Sequence, residues 1–218
     1  MTNSLDRVSS DIDALEIEKA KGGNIAFDFE PSSKEFLVAF DGTVRAGAVA
    51  LFDAGVEVRR GDRVRIAGVN GAGKTSLVEA MMENLSIPRD KVLYLAQETT
   101  GPQARSWLNA LIDLSGADRG RVLSVVALLG ADPAAILHSD QPSPGEARKI
   151  ALAIGLGTPK WLLVLDEPTN HLDLPSIERL EEALTSYPGA IVLISHDDAL
   201  ATAVTDETWQ VEPAGLRK

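Results

Sequence analysis

Short apolar runs alternate with amphipathic stretches along this chain. Val64–Ala67, Lys91–Ala96, Trp161–Leu165 and Ala190–Ile194 are too short for buried helices. They read as central strands; Trp161–Leu165 suits a strand buried on both faces, and Ala190–Ile194 is a further buried strand. Upstream the period changes to two. Ile25, Phe27 and Phe29 alternate with Ala26, Asp28 and Glu30, which predicts a half-buried strand over 25–30. Phe36–Phe40 and Val49–Val58 continue this β-rich layer, with a turn expected at Asp41-Gly42 and another at Arg60-Gly61-Asp62.

Helical periodicity fills the gaps between the apolar runs. Ser76–Met82 follows the first central strand. Residues 104–138 read as a helical insertion interrupted at Gly116, Gly120, Gly130 and Pro133. In it Trp107, Leu108, Leu111, Ile112 and Leu114 form one face, and Val122, Val125, Val126 and Leu129 another. Ser143–Gly155 is a further helix. Ser176 is expected to cap a helix that turns Ile177, Leu180 and Leu184 inward, and Asp197–Val204 is the last. Residues 4–21 carry a seam of Leu5, Val8, Ile12 and Leu15. That seam fits docking, half of a coiled coil, or a frayed tail. Strands alternating with helices imply a parallel sheet, with ligand chemistry beyond the carboxyl ends of its strands.

Composition narrows the classes. The 218 residues fit one domain, or one with a small subdomain, and 44% apolar content indicates a globular fold. The net charge of −11 disfavours non-specific contact with nucleic acid or anionic lipid, and no sequence-specific nucleic-acid partner is expected. The chain has no cysteine, which is compatible with a reducing cytosol. No apolar run approaches the ~18 residues of a membrane span, and the first residues lack the pattern of a signal peptide.

Gly68-Val69-Asn70-Gly71-Ala72-Gly73-Lys74-Thr75 fits the phosphate-loop pattern G-x-x-x-x-G-K-[ST], between a strand and the helix opened by Ser76. Its glycines allow a tight turn of backbone amides around an anion, and the following helix adds its positive end. Lys74 has the reach for terminal phosphates, and the Thr75 hydroxyl is a ligand for Mg²⁺. Three further candidates fall just after predicted strands: Gln97, Asp166-Glu167 and His196. An acidic residue in such a place holds Mg²⁺, and a second orients or deprotonates an attacking water. Gln97 is a candidate ligand of Mg²⁺ or of that water, and His196 a hydrogen-bonding partner of a terminal phosphate. Ser143-Pro144-Gly145-Glu146 opens a helix whose N–H groups face an anion, or it is simply a well-capped helix start. His138 is expected to be an exposed residue of the insertion.

In family order, these residues resemble the nucleotide-binding domains of ABC ATPases over residues 25–212. Gly68–Thr75 looks like the Walker A loop, Gln97 like the Q-loop glutamine, and Ser143–Glu146 like the signature motif. Leu162–Glu167 resembles Walker B, Leu172-Asp173 the D-loop, and His196 the switch histidine. Pro168–Asp173 followed by Leu174–Glu178 is similar to the ABC-F group, proteins without membrane domains that act on ribosomes, some conferring antibiotic resistance. The chain departs at Pro144, where the family often has glycine, and at Glu146, where glutamine is usual. No aromatic stands clearly at the adenine-stacking place, with Phe40 the nearest.

The resemblance implies an α/β P-loop NTPase fold of RecA type. Its mainly parallel sheet is flanked by helices, with an antiparallel β layer and a small helical subdomain. The expected organisation is a linker remnant at 1–23, an ATP-binding core at 24–97 and 151–218, and a signature subdomain at 98–150. The implied cofactors are ATP and Mg²⁺. Gly68, Asn70, Gly71, Ala72, Gly73, Lys74, Thr75 and Ser76 would hold the nucleotide, and Ser143, Gly145 and Glu146 would reach the nucleotide of a facing domain. Thr75, Gln97 and Asp166 would hold the metal; Glu167, His196, Gln97 and Lys74 would serve catalysis. The implied partners are a second nucleotide-binding domain, head to tail, and the ribosome. The chain would be the C-terminal one of two such domains, cytoplasmic, and slow in hydrolysis alone. A transporter ATPase subunit is the alternative reading, and a non-hydrolysing ATP sensor a third.

Overall fold

The computed structural model describes residues 27, 29–139, 141–212 and 215–218. The helix expected over 4–21 lies outside these residues. The strand expected over 25–30 is absent from its described positions, Phe27, Phe29 and Glu30, which have no regular structure. Packing divides the chain into two units.

The first unit comprises Phe29–Ala96, Lys160–Pro168 and Pro188–Lys218. β1 (Phe36–Ala46) and β2 (Val49–Arg59) form an antiparallel ribbon. Asp41-Gly42 is not a turn: Asp41 pairs with Gly55 and Gly42 with Ala54, well inside the ribbon. The turn comes later, at Gly47-Ala48, with Gly47 at φ 60°, where a two-residue hairpin loop demands positive φ. Burial explains the difference. Val44 and Phe52 face each other beyond Asp41 and are both buried, so the pairing continues until they are covered.

The second sheet has six strands in the order β4-β5-β6-β3-β7-β8. These are β3 (Arg63–Ala67), β4 (Val92–Leu95), β5 (Leu162–Asp166), β6 (Ala190–Ile194), β7 (Glu207–Glu212) and β8 (Gly215–Arg217). All neighbours are parallel except β7 and β8. Every residue of β5 and β6 is buried, and apart from Asp166 both strands are unbroken apolar runs. Each buried Leu or Val there contributes roughly 1.5–3 kcal/mol. The core gathers β1, β2 and the inner strands around Leu77, Val78 and Met81 of α1 (Lys74–Glu83). β7 and β8 escaped the sequence reading, although Trp209 of β7 is one of the largest fully buried side chains.

The second unit includes Gln97–Pro159 and Thr169–Tyr187. It holds α2 (Gly101–Asp113), α3 (Gly116–Leu128), α4 (Pro133–Leu137), α5 (Pro144–Gly157) and α6 (Leu174–Ser186). α5 is buried from Ala147 to Gly157 except at Lys149. Gly157 approaches α3 so closely that a Cβ there would stand 2.9 Å from Val122 Cγ2. Gly120 does not interrupt α3, and Ile112 is exposed rather than packed. Ser176 is not the cap of α6. Asp173 is, accepting from the Ser176 amide, while Ser176 is fully buried and its Oγ donates to the Leu129 carbonyl at 2.6 Å. Arg179 Nη1 donates to the neighbouring Leu128 carbonyl at 2.8 Å. Two orphan carbonyls at the end of α3 are thus satisfied from α6. A final helix, α7 (Asp198–Val204), belongs to the sheet unit. Among the described residues no helix is long and apolar enough to cross a membrane.

Candidate nucleotide-binding site

In the sheet unit three loops leave the carboxyl ends of adjacent strands. β3 runs into Gly68–Gly73, β5 into Glu167, and β6 into Ser195-His196. Gly68 has φ 149°, and a Cβ there would stand 2.7 Å from the Val211 carbonyl oxygen. Gly73 has φ 102°, and its Cβ would meet Leu51 Cδ1 and Phe52 Cε1, each at 2.9 Å. Only glycine fits these two places. The Ala72 amide closes the loop on the Val69 carbonyl at 3.1 Å.

Helix capping sets this loop apart. Side chains of Thr100, Ser115, Asp132, Ser143, Asp173 and Asp197 cap α2, α3, α4, α5, α6 and α7. Among the described α-helices α1 alone has no side-chain cap: its N-cap is Gly73, and its first turn has no acidic residue. The first amides of α1 are therefore left for an anion. Lys74 Nζ donates to the Gly68 carbonyl at 2.8 Å and to the Val69 carbonyl at 3.3 Å, so the ammonium lies along the same loop.

Asp166 and Glu167 are 3% and 6% exposed, an unusual depth for carboxylates. Glu167 adopts φ 49°, in the left-handed region. Its amide donates to the Ile194 carbonyl at 2.8 Å, and its Oε2 accepts from the His196 amide at 3.3 Å. Its Oε1 lies 3.6 Å from His196 Nε2. The ends of β5 and β6 are thus stitched together through Glu167. The His196 side chain is 70% exposed, so the backbone sets where the imidazole is rooted and little packing restrains it. The metal-ligand expectation fits the donor set in this unit. The Thr75 hydroxyl and the Asp166 carboxylate are hard oxygen donors, suited to Mg²⁺.

Gln97 and the signature residues lie in the helical unit. Gln97 is exposed, and its carbonyl accepts from Nη1 of the buried Arg148 at 3.1 Å. Ser143 and Glu146 form a reciprocal capping box on α5, with Pro144 in the first turn. Glu146 Oε2 accepts from Ser143 N at 2.8 Å and from Ser143 Oγ at 2.7 Å. These hydrogen bonds, the hydroxyl first, hold the Glu146 carboxyl below its ordinary range, helped slightly by Lys149 against the opposing effect of burial. The Asp173 carboxyl is lowered in the same way, chiefly by the Ser176 hydrogen bond. Phe40 packs against the core of the sheet unit, and His138 is exposed as expected.

Comparison with known proteins gives this geometry a family. Residues 51–119 match the ABC transporter family. The ribosome protection protein VmlR of Bacillus subtilis (strain 168) is 31% identical over 93% of this chain and 41% of its own length. ABC transporter F family member 2 of Arabidopsis thaliana is 32% identical over 75% of this chain and 26% of its own length. The chain is an ATP-binding-cassette domain of the ABC-F type. This ABC-F domain spans less than half the length of either relative. The fold agrees. An ATP-binding cassette solved as a dimer in a post-hydrolysis state with ADP and Pi superposes with a TM-score of 0.65 at 17% identity, covering 84% of this chain and 96% of that one.

Two arginines of the ABC-F domain were given no role from sequence. Arg148 is one; Arg65 of β3 is the other. Arg65 alternates with buried Val64 and Ile66, and that period-two pattern was the available signal that it leaves the core and reaches elsewhere. Its Nη2 donates to the Ser195 carbonyl at 3.1 Å and to Asp198 Oδ1 at 2.6 Å.

Proposed function

We propose that this domain binds Mg-ATP and hydrolyses it to ADP and phosphate, and that nucleotide-driven closure against a second such domain acts on the ribosome. The observation that carries the nucleotide reading is the uncapped start of α1 beneath a glycine loop that admits no side chain at Gly68 or Gly73. Amides of Asn70, Gly71, Ala72, Gly73, Thr75 and Ser76 bind the phosphate chain, and Lys74 stabilises charge on its terminal oxygens. Thr75 and Asp166 hold magnesium, which when bound neutralises charge on the phosphates. Glu167 accepts a proton from the attacking water, and its near-complete burial keeps that carboxylate in a weakly screened setting. His196 donates a hydrogen bond to the terminal phosphate from a backbone already tied to Glu167. Gln97 takes the role its resemblance implies, as a ligand of magnesium or water.

Ser143 and Gly145 serve the nucleotide of a facing domain, so turnover rises with protein concentration. Glu146 supports them through the capping box. Exposed apolar Leu174, beside the D-loop, supports a surface that a second domain covers. The ribosomal part of the reading draws on the similarity to VmlR, whose name gives ribosome protection as its activity. In this reading the chain is one of two such domains in a longer protein, with residues 4–21 the end of a helical linker.

Calorimetry with Mg-ATP and steady-state turnover test the reading together. Glu167→Gln is expected to keep ATP binding and to lose turnover by about 100-fold or more. Absence of Mg-ATP uptake by folded wild-type protein overturns the nucleotide reading. Normal turnover by Glu167→Gln overturns the assignment of the base. Co-sedimentation of the full-length Glu167→Gln protein with ribosomes, dependent on ATP, tests the partner.

A further inference from the structure

We propose that Arg65 is a positioning residue for His196, holding the loop after β6 on both sides of the histidine. The inference rests on the ATPase reading above, because it needs His196 to meet the nucleotide. β3 and β6 are parallel neighbours, with Arg65 opposite Leu193. From that register the guanidinium reaches past the end of β6, which stops at Ile194. Nη2 bonds the Ser195 carbonyl, one residue before His196, at 3.1 Å, and Asp198 Oδ1, two residues after it, at 2.6 Å. The first acceptor is a main-chain oxygen just beyond the last residue of the strand. The second is a carboxylate in the first turn of α7. One side chain therefore spans the short segment that bears the histidine.

Three other ties act on the same segment. The His196 amide donates to Glu167 Oε2, the Asp197 amide to Ser195 Oγ at 3.0 Å, and Asp197 Oδ1 caps the Ala199 and Leu200 amides, each at 3.0 Å. Arg65 is the contact that comes from β3, the strand leading directly into the phosphate loop at Gly68. It thereby fixes the distance between the loop that grips phosphate and the histidine that touches it. The exposed imidazole has little packing of its own, so this placement is set through the backbone. Both bonds leave Nη2, whose two hydrogens are held in the rigid guanidinium plane, whereas the hydrogens of an ammonium rotate freely. Its buried Nε has no acceptor among the described residues, so the side chain's orientation serves the two Nη2 contacts.

The test compares wild type, Arg65→Met, Arg65→Lys, Asp198→Ala, His196→Ala and the Arg65→Met/His196→Ala double variant. Mg-ATP binding and steady-state turnover are read at protein concentrations where wild type turns over. Arg65→Met is expected to lower kcat by about tenfold, with KM for ATP changed less than about twofold, because a misplaced group costs the transition state more than ground-state binding. Arg65→Lys restores part of the loss. The double variant is no slower than His196→Ala alone, because a loop with no imidazole has nothing left to position. Asp198→Ala loses one anchor and gives a smaller fall in kcat, which keeps the proposal testable if Arg65→Met does not fold. Wild-type kcat in folded Arg65→Met, an unchanged kcat in Asp198→Ala, or additive losses in the double variant overturn the positioning role. Failure of wild type to take up Mg-ATP overturns the functional reading itself, and the positioning role falls with it.

Discussion

Gly145 packs against the backbone of His171: a Cβ on the glycine would stand 3.3 Å from the His171 carbonyl oxygen. The start of α5 and the turn before α6 therefore meet main chain to main chain within the helical unit. That turn is closed by the Leu172 amide on the Thr169 carbonyl at 3.1 Å, with His171 itself at φ 64°. Gly145→Ala gains helix propensity of up to about 1 kcal/mol and tightens this contact, so the net change in stability is expected to stay within about 1 kcal/mol. Turnover that depends on paired domains is expected to fall by about tenfold if, as proposed, the displaced amides serve the facing nucleotide. Thermal melts and concentration-dependent ATPase rates separate the two effects.

Gly68→Ala is a larger perturbation. The added Cβ would meet the Val211 carbonyl at 2.7 Å, and φ 149° suits no side chain. Backbone atoms of two strands would have to part. A loss of about 2–4 kcal/mol in a denaturant titration is expected, within the range of strained backbone and overpacked cores. A stability equal to wild type would show that β3 and β7 are less closely fitted than described.

Ser176→Ala removes the buried hydroxyl that serves the Leu129 carbonyl. Leaving that acceptor unsatisfied is expected to cost about 1–3 kcal/mol. Hydrogen exchange should also quicken at the carboxyl end of α3, near Leu128 and Leu129, ahead of the rest of the helix. Uniform exchange across α3 would count against this role for α6.

Glu146 carries a pH signature. Its folded carboxyl is held below the ordinary value of 4.5 by the Ser143 hydrogen bonds. A depressed carboxylate contributes stability that is present above its unfolded pKa and is lost as pH falls through the folded one. Glu146→Gln keeps an acceptor in the capping box but does not titrate. Wild type is expected to be the more stable of the two above pH 4.5, and the difference should vanish at lower pH. A difference that does not depend on pH would show that the charge on Glu146 contributes nothing.

The central strands, the glycine loop and the placement of Gln97, Asp166 and His196 at or just beyond strand ends were legible because each depends on local pattern. Val164 and Ile191 sit in apolar runs that have few other solutions. Asp41-Gly42 misled because a strong local turn signal yielded to distant pairing between Val44 and Phe52. Ser176 misled for a related reason. Serine and Asp173 are both good caps, and only the proximity of Leu129 decides which of them is buried. β7 has a weaker period, Glu207-Thr208-Trp209-Gln210, and its place beside β3 is set by a neighbour more than a hundred residues away. Arg65 and Arg148 were unreadable in the same sense. A long cationic side chain says nothing about which carbonyl it will meet until the chain has folded.

The pairing of β3 with β6 joins Arg63 to Ile191 across most of the polypeptide. The glycine loop is therefore synthesised long before the strand that completes its surroundings. During translation the segment proposed to grip phosphate emerges before the strands that complete its surroundings. Its carboxylate and imidazole partners reach it only after both Asp166 and His196 have left the exit tunnel. On the proposed function, competence for chemistry is thus a late event in the life of each molecule, and a prematurely terminated chain carries the glycine loop without its proposed partners.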